Sequence, residues 1–299
     1  MAVALKKNKL KISFGESVGS FVNYFFLALI GIICLVPFLY VISVSLTSEN
    51  SLGLHGTQLI PGELSLSAYK FLFANADRLI QSYFNTILVT VAGTVIGLIV
   101  IAGIAYPLSK KELPFRTPFM MYVLFSMLFG GGLIPLYIIM KSIGLYDNYW
   151  ALILPGIYSS WNMILMRNFF MSLPSSLEEA ALIDGANEIQ VLVKIMLPLS
   201  RPIMATLFLF MAVGYWNNWF NALLFIPDPN KWPIMMFLKE VLQSLNVVDK
   251  ITVMPSSEAP PSQSLQMAVV VACTLPIICV YPFLQKYFVR GILMGSIKG

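Results

Sequence analysis

Six stretches of this chain, at about residues 22–46, 82–106, 117–140, 150–166, 203–224 and 265–285, hold no Asp, Glu, Lys, Arg or His. A helix needs roughly 17 to 25 apolar residues to cross the hydrocarbon core of a bilayer, and most of these runs supply them. Backbone amides in lipid must be bonded within their own segment, so such runs predict helices. The expected fold class is therefore an all-α integral membrane protein with six transmembrane helices. Composition agrees: 58% of residues are hydrophobic and 11% charged, against about a quarter charged in a soluble domain.

The polar connections give an orientation. Thirteen of the 19 Lys and Arg fall in the tail 1–21, the turn 107–116, the region 167–201 and the end 285–299. Basic residues gather on the cytoplasmic side, which predicts that both termini and the 172–202 segment are cytoplasmic. The net charge of +5 thus sits at span edges and is not a nucleic-acid patch. Ser43-Val44-Ser45 fits a signal-peptide cleavage site, but the run before it exceeds the ~7 to 15 residues of a signal core, which predicts a retained anchor. The organisation expected is a basic tail (1–21), a transmembrane domain (22–289) with an outer loop at 225–264, and a tail at 290–299. Gly130-Gly131-Gly132 with Pro135 predicts an interruption of the third span, and Gly93-x-x-x-Gly97 permits close helix approach in the second.

Several chemistries lack their residues. No G-x-x-x-x-G-K-[ST] loop is present to cradle nucleotide phosphates. His55 is the one histidine, and Cys34, Cys273 and Cys279 all lie in apolar runs, so neither a metal site nor a disulfide framework is expected. Proton-driven transporters need ionisable groups at membrane depth, and the six runs have none. What they do carry is neutral: Tyr158, Trp161 and Asn162 in the fourth, Trp216, Asn217 and Asn221 in the fifth. At helical spacing Tyr158, Trp161 and Asn162 share one face, and Asn217 and Asn221 another. Amides and aromatic faces suit a hydroxyl-rich ligand such as a sugar. The same residue types also hold membrane helices together, and the sequence leaves both readings open.

Between the fourth and fifth runs, residues 172–202 are polar and amphipathic. Ser175-x-x-Glu178 predicts a capping box opening a helix that Gly185 stops, since glycine tolerates the left-handed region. Asn187 with Gln190 predicts the cap of a second helix, ended by Pro198 and Pro202. The expected form is a helix–glycine–helix elbow at a membrane surface.

Glu179-Ala180-Ala181, Asp184-Gly185 and Ile195-Met196-Leu197-Pro198, with nine residues between Gly185 and Ile195, resemble the EAA…G…I-x-LP loop of ABC importer permeases. The whole chain is similar to the maltose-type branch of type I importers, nearest the group that imports complex oligosaccharides; Gly291 to Gly299 resemble that group's ending. The resemblance implies a type I permease core in a bacterial cytoplasmic (inner) membrane, working by alternating access. It implies a second homologous permease subunit, two ATPase subunits that bind ATP and Mg, an extracytoplasmic solute-binding protein and a sugar substrate, with no cofactor on this chain. It further implies that Glu179 pairs with a basic residue of the ATPase, that Ala180 and Ala181 fit its groove, and that Gly185 forms the bend. Ile195, Leu197 and Pro198 then pack the elbow on the membrane core, Gly295 to Gly299 contact the ATPase dimer, and the 225–264 loop reaches into the binding protein. The rival is a stand-alone secondary transporter or channel for a neutral solute.

Overall fold

Apolar helices dominate the computed structural model, which describes residues 14–74, 76–251 and 262–296, with side chains over 19–74, 76–243 and 263–280. Among the described residues no strand forms, only an isolated bridge between Thr47 and Leu64. The helices are α1 (Phe14–Ser45), α2 (Glu49–His55), α3 (Ser67–Ala74), α4 (Ala76–Ser109), α5 (Arg116–Leu128), α6 (Leu133–Ser142), α7 (Trp150–Ile157) and α8 (Ser160–Ser172). They continue as α9 (Ser175–Ile183), α10 (Glu188–Val191), α11 (Leu197–Leu199), α12 (Arg201–Trp216), α13 (Phe220–Phe225), α14 (Ile234–Ile251) and α15 (Ser262–Ser296).

Among the described residues, three helical stretches are long and apolar enough to cross a membrane: Gly19–Ser45, Ala76–Ser109 and Gln263–Val280. Two further pairs pass the same test only when taken together, and both are bent. The α5–α6 pair turns by 109° across the three glycines, so the interruption expected there is a sharp corner. The fourth run is not one helix. Tyr158 and Ser159 are extended, and the Ser159 hydroxyl accepts from the Asn162 amide to start α8 afresh. The fifth run also breaks, at Asn217 to Trp219, where the Asn218 side chain accepts from the Asn221 amide and starts α13. In both places a side-chain oxygen replaces a backbone carbonyl, a competition open to short polar residues.

The chain forms two compact units, Met1–Phe71 with Ser256–Val271, and Leu72–Pro255 with Ala272–Gly299. In the first, Ser48 caps α2, and the Glu49 carboxylate accepts from the amides of Gln263 and Ser264, both at 2.9 Å. A carboxylate there satisfies exposed amides and complements the α15 helix dipole.

The second unit is built around α4. Gly97 allows the approach its spacing predicts, for a Cβ there would stand 2.9 Å from the Ile157 carbonyl. Gly93 lies under the Tyr215 ring. The segment expected to be an outer loop over 225–264 contains a 3-10 turn at Pro229–Lys231 and the helix α14. Residues 252–261, its proline-rich end, lie outside the described residues. Buried Asn85 fixes the start of this segment. Its amide donates to the carbonyls of Asn230 (2.7 Å) and Trp232 (3.2 Å), while its oxygen accepts from Tyr149 and Gln81. Lys231 adds an ion pair with Asp147 at 2.7 Å.

Candidate functional site

The elbow forms, by partly different means from those the sequence predicts. Pro174, extended, precedes α9, and no side chain caps that helix. Ser175 is already its first helical residue, so the predicted capping box with Glu178 is absent. Glu178 instead turns to an ion pair with Lys110. Helix α9 stops at Gly185, whose φ is +85°, as expected. The Gly185 amide donates to Leu182 and that of Ala186 to Ala181, closing the last turn. The box at Asn187 and Gln190 is complete: each side chain accepts from the other's amide, at 2.9 and 3.0 Å. Asn187→Ala should speed amide exchange over residues 188–191 about fivefold, since such a cap contributes about 1 kcal/mol.

Pro198 does not end the second arm. It lies inside α11, after a π-helical stretch Leu192–Met196 in which the Leu197 amide bonds to Leu192. The proline ring would collide with the carbonyl four residues back, and the wider turn makes room for it. The arm runs to Leu199, and the chain then bends by 82° into α12. Pro202 sits in the first turn of α12, where a missing amide costs nothing.

The elbow has two faces. Ala181, Val191 and Met196 are buried, and Ala186, Leu192, Ile195 and Leu197 pack partly buried on the same core. Glu179, Ala180, Asp184, Gly185 and Pro198 are exposed, so Pro198 faces out where packing was expected. Around them Ile183 is 85% and Ile189 73% exposed. The outer face is thus an apolar knuckle with carboxylates beside it.

Behind Glu179 lies a groove of about 790 Å³ between the arms and the end of α4. Tyr106 donates to Glu188 at 2.7 Å, and the Lys110 ammonium stands 4.4 Å over the Tyr106 ring while paired with Glu178. Burial lowers the Lys110 pKa, and Glu188 and Glu112 oppose that shift. Close by, Arg167 (3.0 Å) and Arg116 (3.3 Å) both donate to the Leu108 carbonyl, cations meeting the negative end of the α4 dipole. Tyr106, Lys110 and Glu188 were not singled out from sequence, and Glu178 only as part of a capping box. About seventy residues separate the two pairs, and no local pattern links them.

The neutral polar residues do not form one site. Tyr158 and Trp161 line a cleft of about 320 Å³ with Ser126 and Ser160, whose hydroxyls are 3.0 Å apart. Asn162 is buried in α8, and the helix break removes Tyr158 from its face. Trp216 and Asn217 border a different, apolar groove of about 660 Å³. The Trp216 indole donates to the Cys273 carbonyl at 3.4 Å. Asn217 ends α12, donating to Val213, and half-buried Asn221 lies on α13 across a break, so these two asparagines share no face.

Residues 12–294 match the family described as binding-protein-dependent transport system inner membrane component. The chain is 43% identical over 277 residues to the polygalacturonan/rhamnogalacturonan transport system permease protein YtcP of Bacillus subtilis (strain 168), covering 92% of this chain and 96% of that one. It is 46% identical over 279 residues to protein LplC of the same organism, covering 93% and 94%. Among solved structures it resembles a chain of a bacterial ABC transporter involved in the import of the acidic polysaccharide alginate. That match has a TM-score of 0.81 and 32% identity, and spans 94% of this chain and 100% of that one.

Proposed function

The chain belongs to the family of binding-protein-dependent transport system inner membrane components, and from that membership we propose that it forms half of the pathway of an ATP-driven oligosaccharide importer. It is a permease subunit and not itself an enzyme. A second permease forms the other half, two ATPases bearing ATP and Mg drive it, and an extracytoplasmic binding protein delivers the solute. The transport of polygalacturonan by one relative and of alginate by a structural neighbour supports a sugar polymer as the cargo class. The six charge-free apolar runs support six spans, and the distribution of Lys and Arg supports both termini and the elbow on the cytoplasmic side.

One observation carries the coupling role: the elbow hides Ala181, Val191 and Met196 while exposing Ile183 and Ile189 beside Glu179. An exposed apolar knuckle with an acidic neighbour fits a groove on a partner bearing a basic residue. ATP closes the ATPase pair, the elbows of the two permeases are drawn together, and the spans switch access. Tyr158 and Trp161 with the hydroxyls around them are the pathway residues that geometry favours.

Glu179→Lys should lower retention of the ATPase on the purified complex, and uptake with it, about tenfold, since like charges would then face each other. Wild-type retention and uptake in that variant would refute the coupling role. Uptake by the chain alone, without ATP, would favour the stand-alone transporter instead.

A further inference from the structure

The elbow joins the membrane core covalently at both ends: through Leu173 and Pro174 to α8, and through the π-helical turn Leu192–Met196 and the 82° bend to α12. Neither link is one continuous α-helix. A further, noncovalent route bypasses both. Tyr106 and Lys110, four residues apart, reach opposite arms of the elbow: Lys110 pairs with Glu178 on α9 and Tyr106 with Glu188 on α10. The bend at Gly185 lies between these two anchors. Lys110 stacked on the Tyr106 ring joins the two tethers into one unit, and the ring packs edge-on against Phe170 at 6.0 Å.

We infer that Tyr106 and Lys110 are positioning residues that clamp both arms of the elbow to the end of α4, so that displacement of the elbow moves α4 directly. This rests on the coupling role proposed for the elbow. Helix α4 is the right receiver, since it packs against α7, α8, α12 and α14. Through it the push reaches the Tyr158–Ser160 break and, by Asn85, the start of the 225–264 segment. Each carboxylate meets a donor, Tyr106 is buried, and Lys110 and Glu178 are mostly shielded, so the pairing is less screened by water than a surface ion pair.

The test uses the assembled transporter in liposomes with its binding protein, reading ATP hydrolysed per solute moved together with ATPase retention. Lys110→Met and Tyr106→Phe should each raise ATP per solute about two- to thirtyfold, the span by which residues on a coupling path change coupling. Retention of the ATPases should stay at the wild-type level. Exchanging the charges, Lys110→Glu with Glu178→Lys, should restore the ratio to within about twofold. An unchanged ratio in both single variants overturns the inference, and so does an exchange no better than Lys110→Met alone. Retention lost in both single variants also overturns it, since the pair would then shape the docking surface. If Lys110→Met fails to fold, Tyr106→Phe decides, because it removes one hydroxyl and keeps the ring. Failure of the docking reading itself appears separately, as wild-type retention in Glu179→Lys.

Discussion

Replacing Gly185 by valine is expected to cut ATP-driven uptake about a hundredfold while the chain still inserts in the membrane, since a β-branched residue in the left-handed region carries about 1–3 kcal/mol of strain. A Cβ at Gly185 would meet no atom within 4 Å, so crowding plays no part. The penalty is the φ of +85° alone, and relieving it opens the turn that aims the two arms. This sets an order that differs from one based on size. Gly185→Asn should retain more uptake than Gly185→Ala, and Gly185→Val the least, because asparagine visits this region most readily among residues with a Cβ. Uptake rates normalised to membrane abundance check the order. Valine matching wild type, or asparagine falling below valine, would remove the strained bend from the mechanism.

The elbow was legible because its signals are local. Gly185 and the Asn187–Gln190 box act within four residues, and both do what their chemistry predicts. The prediction fails where a distant group competes. Ser175 could have capped α9, but Glu178, its partner in the predicted box, is engaged by Lys110. Pro198 should have ended the second arm, yet one wide turn accommodates its ring at less cost than breaking a helix whose inner face is buried. The spans show the same division. Apolar length announces α1, α4 and α15, whereas the breaks at Tyr158–Ser159 and Asn217–Trp219 need Ser159 and Asn218 to outbid backbone carbonyls. A residue's ability to cap is visible in sequence; its choice between capping and facing a pathway is not. That choice separates Tyr158 from Asn162 and Asn217 from Asn221, which helical spacing had placed on shared faces.

A different kind of information lies in Gly93. Read as half of a G-x-x-x-G pair it signals only close packing, but the structure supplies the reason no larger residue serves. A Cβ at Gly93 would stand 2.7 Å from Cε1 and Cε2 of Tyr215, and one at Gly156, against the same ring, 2.9 Å from its Cε1 and Cζ. The ring cannot slide away, because its hydroxyl donates to the Ile153 carbonyl at 2.8 Å and it is only 5% exposed. Gly93→Ala must therefore either overpack the site, at about 1–3 kcal/mol, or expel Tyr215 and forfeit its buried hydrogen bond at a similar cost. The solubilised complex should lose about 3–9 °C in Tm, taking about 3 °C per kcal/mol for a chain of this size. Two controls separate this cause from a general intolerance of α4. Gly103→Ala, on the same helix with nothing within 4 Å of its Cβ, should leave Tm unchanged or raise it slightly, as alanine favours helix. In a Tyr215→Ala background, Gly93→Ala should cost almost nothing further, because the ring it would strike is gone. Equal losses from Gly93→Ala with and without Tyr215 would place the strain elsewhere in the helix and leave the ring cradle without a role.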